Sequence, residues 1–186
     1  MSHAEFILTY DGPALANHEM NVRDLAPAML AVGEAFEGLN SLFNGKSAQL
    51  AVNVRAHQPG CFTVAFDIVQ IAKDATPMLT GPGIVAANNL LTLLIGGGTV
   101  TGFTVGSLIW LVKKLKGRTP DRIEKLTPGM FRLFIDDQVY EVPFELLQAY
   151  QDLRIRRALE GFVTKPLRKP GISQVVIENG GQREQI

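Results

Sequence analysis

His3, His18, His57, Cys61 and the aspartates Asp11, Asp67, Asp136 and Asp137 are the side chains here that could do acid–base, nucleophilic or metal chemistry. Their spacing does not assemble such chemistry. No two histidines stand four apart on a helix pattern, and a single cysteine can form neither an intrachain disulfide nor a cysteine metal cluster. The histidines read as solvated residues at a terminus, in a loop and in a turn. Cys61 heads a strand and reads as a small, half-buried residue. Asp11 and the Asp136-Asp137 pair fall where turn chemistry accounts for them, and Asp67 fits the polar face of a strand. The sequence therefore assigns no catalytic residue, no metal and no cofactor. An enzyme would require a pocket gathering Asp11, His18 and Asp67.

Gly96-Gly97-Gly98 lacks the Gly-Lys-Ser/Thr or dinucleotide context of a phosphate-cradling loop, and its surroundings are apolar. The basic residues of the second half, Arg154, Arg156, Arg157, Lys165, Arg168 and Lys169 among them, interleave with acids. They read as a solvated face, and nucleic acid is not an expected partner. A tighter group, Lys113, Lys114, Lys116 and Arg118, abuts an apolar end. Cations in that position stay on the cytoplasmic side of membranes and attract anionic headgroups.

That apolar end closes Ala75–Val112, a run without one charged side chain. Gly98, Gly102 and Gly106 recur in it every four residues, which on a helix lines one face and admits a second backbone. Its length makes it a membrane-span candidate with Trp110 as an interfacial anchor. Its threonines, with Asn88 and Asn89, make it less apolar than a typical span. The alternative is a helical hairpin, Ile84–Ile95 and Thr99–Lys116 joined at the triple glycine, buried between lobes or subunits. Under either reading, the glycine ladder predicts self-association through Gly98, Gly102 and Gly106. Trp110, Lys113, Lys114, Lys116 and Arg118 would be the membrane interface.

The flanks read as ordinary folded sequence. The chain is 46% hydrophobic and 19% charged with no net charge, yet residues 1–112 carry −4 and residues 113–186 carry +4. Glu5–Tyr10 reads as a strand closed by Asp11-Gly12-Pro13. A helix follows from about Asp24, with Val22, Leu25, Met29, Val32, Phe36, Leu39 and Phe43 as its stripe and Asn44-Gly45 as its stop. Ala48–Ala56 and Cys61–Gln70 form a hairpin around His57-Gln58-Pro59-Gly60. Gly81-Pro82-Gly83 marks a hinge. Met130–Ile135 and Val139–Val142 make a second hairpin, Pro143 opens a helical region to Val163 in which Asp152 can cap a second helix, and Gly171–Glu178 is a last strand before a polar tail.

The expected fold is α+β: an N-terminal β-α-β-β lobe (1–74), a central apolar glycine-rich hairpin with its basic flank (75–118), and a small α+β lobe (119–186). The run Ala56-His57-Gln58-Pro59-Gly60-Cys61-Phe62-Thr63-Val64, followed by a glycine-rich apolar stretch, resembles a group of small uncharacterised proteins of bacterial genomes and prophages. The resemblance implies a bacterial or phage setting and no functional residue. With no secretory signal visible, the expected location is the cytoplasm, the cytoplasmic face of the inner membrane, or a virion. Two functions fit. One is a non-enzymatic, self-assembling protein acting on a lipid bilayer, as in phage lysis, ejection or defence. The other is a soluble structural subunit of a larger assembly, with the hairpin buried at subunit contacts.

Overall fold

The computed structural model describes all residues except 18, 56–61, 74–84, 97–98, 101–102, 105 and 181, and no side-chain placement for 99, 100, 103, 104 and 182. The chain is α+β. Its main sheet has five strands in the order β10-β9-β1-β3-β2, every neighbouring pair antiparallel. These are β1 (Ser2–Asp11), β2 (Ala48–Arg55), β3 (Phe62–Ala72), β9 (Gln174–Asn179) and β10 (Gln182–Gln185). The β-α-β-β start follows the sequence pattern. Ala4, Phe6, Leu8 and Tyr10 of β1 alternate inward, facing the same core as Val64, Phe66 and Ile68 of β3. The closing strands differ from the expectation. The tail after Asn179 is β10, turned back on β9 at Gly180 (φ +53°), and this C-terminal hairpin docks along β1. Asn179 pairs with Gln182, so the sequence Gly180-Gly181 is the hairpin signal that a polar tail conceals.

Helix α1 (Val22–Asn44) covers the inner sheet face. Its cap is Asn21, whose side chain accepts from Arg23 N at 2.9 Å, so the helix begins two residues before Asp24. Its buried face is wider than one stripe, adding Ala28, Ala31, Ala35 and Gly38 to Val32, Phe36 and Leu39. A second helical layer accounts for this. Helix α5 (Leu153–Leu159) and the π turn Glu160–Thr164 cross α1 closely enough that a Cβ on Gly38 would meet Ile155 at 2.9 Å, and one on Gly161 would meet Ala31 at 2.6 Å. The Tyr10 hydroxyl, buried under the same crossing, donates to Phe162 O at 2.8 Å, and burial pushes its phenol well above the usual range.

The two described helices of the apolar stretch pack into the protein's own core. Helix α2 (Ala87–Ile95) buries Leu90, Leu91 and Leu94, and helix α3 (Leu108–Leu115) buries Leu108, Ile109, Leu111 and Leu115. Between them Thr99–Val100 (β4) pairs with Phe103–Thr104 (β5), so the second arm is not a helix from Thr99. β-branched and aromatic residues between glycines favour this ladder over a helix, and Ser107 then starts α3 by accepting from Trp110 N at 2.9 Å. No described helix is long and apolar enough to cross a membrane.

A buried amide network fixes the start of α2. Asn44 accepts from Val85 N at 2.7 Å and donates to Val85 O at 3.0 Å. Gln70 donates to Asn40 and to Val85 O, and Ser2 Oγ accepts from Ala87 N at 3.0 Å while donating to Gln70. The remaining strands, β6 (Arg122–Thr127), β7 (Met130–Ile135) and β8 (Gln138–Pro143), form a separate three-stranded sheet, from which Pro143 leads into α4 (Phe144–Gln151). Asp152 caps α5 as its position suggests, accepting from Arg154 N at 2.8 Å and Ile155 N at 3.4 Å. The Arg154 guanidinium, the larger cause, and these amides hold its carboxyl below the usual carboxylate range.

Candidate functional site

The assembly face expected from sequence, Gly98, Gly102 and Gly106, is described only at its last member. Gly98 and Gly102 lie outside the described residues. Gly106 precedes α3, and a Cβ there would strike the Trp110 indole at 2.3 Å. Gly106 thus makes room for Trp110, whose ring meets Tyr140 edge-on at 5.6 Å and is only partly exposed. The basic cluster also divides. Arg118 pairs with Asp136 at 2.8 Å, while its carbonyl accepts the Tyr150 hydroxyl at 2.5 Å, which ties α3 to the small sheet and α4. Lys114 points to solvent. Lys113 and Lys116 instead reach a groove.

This groove, about 580 Å³, runs between the C-terminal half of α3 and the continuous segment formed by α5, the π turn and α6 (Lys165–Leu167). Its floor is apolar: Ile109, Val112, Leu159, Val163, Leu167 and Ile186. Its rim is cationic: Lys113, Lys116, Arg156, Arg157 and Arg168, with Glu160 the one acid among the described lining residues. Local structure puts them there. Helix α3 buries Leu108, Leu111 and Leu115, which leaves Val112, Lys113 and Lys116 on its other side. Lys116 ends the helix in the left-handed region (φ 51°), and basic residues in that last turn complement the helix dipole. On the facing segment Ile155 and Ala158 are buried, placing Arg156 and Arg157 at the edge.

The rim is only partly neutralised. Lys113 stands 3.5 Å from Glu184 and Arg168 stands 3.5 Å from Glu160. Among the described residues no carboxylate forms a close ion pair with Lys116, Arg156 or Arg157, although the Lys116 charge is felt by Asp136. Arg156 donates Nη1 to Gly117 O at 3.0 Å and lies over the Tyr150 ring at 5.0 Å, while its Nε is buried without a hydrogen-bond partner among those residues. Such a lining can hold an anionic group at the rim with an apolar body below it. Lysine and arginine stems lie along apolar surface and still present their charge to water. Only Lys113 and Lys116 of this site were singled out as site residues by sequence. The arginines looked like a solvated face because nothing local shows that α3 and α5 face each other.

The imagined acid–base pocket is not formed by its described members. Asp11 lies six residues along β1 from Glu5, the partner of Asp67, roughly 20 Å at strand rise. Its Oδ1 accepts from Gly12 N at 2.7 Å, and His18 lies outside the described residues. Asp67 instead meets His3, Glu5 and Arg55 on the outer sheet face. Compared with known proteins, the chain matches no family model, no curated protein and no solved structure.

Proposed function

We propose that this chain is a non-enzymatic binding protein that takes a long-chain anionic amphiphile, a fatty-acid-type carboxylate, in the groove between α3 and the α5–α6 segment. The observation that carries this reading is the pairing of an apolar floor with five rim cations, three of them with no close ion pair among the described residues. The volume falls within the usual range for small-molecule sites, which are mostly apolar with a few polar groups that set orientation. Lys113 and Lys116 keep the anion-contacting role that their sequence suggests, now joined by Arg156, Arg157 and Arg168. Contact with lipid then needs no insertion of α2 or α3, whose leucines are already buried in this chain. Self-association through the glycine ladder is no part of this reading, since Gly106 is occupied by Trp110.

Titration calorimetry with oleate below its micelle concentration, set beside oleyl alcohol, tests the charge requirement. The two share a chain and differ at the head. Oleate should bind with defined stoichiometry and at least about tenfold more tightly, since each cation near an anionic head contributes about 1 kcal/mol. Equal affinities, or no saturable binding of oleate, would sink the proposal.

A further inference from the structure

The outer sheet face carries a second cluster, remote from the groove. His3 and Glu5 lie two residues apart on β1 and so share a face, and the strand register sets Glu5 directly opposite Asp67 on β3. His3 Nε2 is in direct contact with Asp67 Oδ1, and His3 Nδ1 stands 3.8 Å from Glu5 Oε1. One nitrogen and two carboxylate oxygens, from three different residues, lie within 4.8 Å of one another. Asp67 Oδ1 is buried from solvent and takes no hydrogen bond of normal geometry among the described residues. What faces it is the imidazole edge.

A neutral imidazole carries one N–H and one lone pair, so the contact between His3 Nε2 and Asp67 Oδ1 is bridged either by the ring proton or by a metal ion. We propose that His3, Glu5 and Asp67 form a binding site for a divalent first-row metal ion, with Arg55 as its built-in competitor. One imidazole and two carboxylates suit zinc and its neighbours, and water can complete the coordination. His3 and Glu5 are about half exposed, which leaves the site open to ions from solution. Arg55 Nη2 stands 2.5 Å from Glu5 Oε1 and 3.6 Å from Asp67 Oδ2 and supplies the positive charge that a metal would otherwise bring. Its side chain is half exposed on an edge strand, so it can swing aside.

The full chain, carrying no histidine tag, is titrated with Zn²⁺ by calorimetry. One equivalent should bind, with heat that saturates at a one-to-one ratio. His3→Ala and Asp67→Asn should each weaken binding at least about tenfold, and Arg55→Ala should tighten it. Melting curves without metal check that each variant folds, and Glu5→Gln, at an exposed position, replaces any that does not. Absence of saturable binding, or full affinity in Asp67→Asn, overturns the site, since the metal would then be held elsewhere. Weaker binding in Arg55→Ala overturns the competitor role. None of these results bears on the groove.

Discussion

Two of the regions in which a glycine admits a close neighbour differ in kind, and only one of the two is a helix crossing. In the first, Gly38 and Gly161 let α1 and the α5–π segment approach, with Ile155 and Ala31 filling the space that Cβ atoms would take. In the second, Gly106 sits ahead of α3 and clears room for the Trp110 ring. The regular four-residue spacing belongs to the second region, where part of the intervening chain is a β ladder rather than a helix. The real crossing uses two glycines 123 positions apart that no local pattern links. Spacing identifies a helix face only where the intervening residues favour a helix, and Thr99, Val100, Phe103 and Thr104 do not.

Substitutions can break this comparison. The largest effect is expected from Gly161→Leu, because the crossing must separate and both buried layers lose contact. Denaturant unfolding should show a loss of about 3 kcal/mol or more, at the upper end for overpacking. A smaller loss, about 2 kcal/mol, is expected for Asn44→Ala, which leaves the amide of Val85 without its side-chain partner and its carbonyl with Gln70 alone. Gly106→Ala should cost about 1 kcal/mol, since the partly exposed indole can move away. That variant should shift the emission of Trp110, the one tryptophan, and leave oligomer size by light scattering unchanged. A drop in oligomer size would restore the ladder as an assembly face.

The smallest effect concerns the α5 cap at the edge of the crossing. Because the Asp152 carboxyl is held below its unfolded value, its contribution is present above about pH 4 and fades as pH falls through the lowered folded value. Asp152→Ala should therefore cost about 1 kcal/mol at pH 7 and close to nothing at pH 2, by denaturant titration at both. A cost that is independent of pH would assign the loss to packing instead of charge.

Local rules made much of the fold legible. Period-two alternation identifies β1 and β3, the apolar stripe with Asn44-Gly45 bounds α1, and Asp152 caps a helix as its type and position suggest. Strand β6 was hidden because its residues are almost all exposed on an edge, which leaves no alternation to read. Long-range placement was hidden too. That β9 joins β1 and α3 faces α5 depends on which apolar faces find each other, and the groove exists only through that meeting. His3 illustrates the same limit: its position two residues before Glu5 is visible in sequence, but Asp67 joins them only through the β1–β3 register.

The claim that the α3–α5 groove holds an anionic amphiphile is tested most directly by titrating oleate into the wild-type chain and a Lys116→Ala/Arg157→Ala double variant. Both residues are rim cations with no close ion pair among the described residues, so their removal leaves the folded core alone. Affinity should fall about thirtyfold, from about 1 kcal/mol per cation, with oleyl alcohol binding unaltered. Equal oleate affinity in the two proteins would contradict the account.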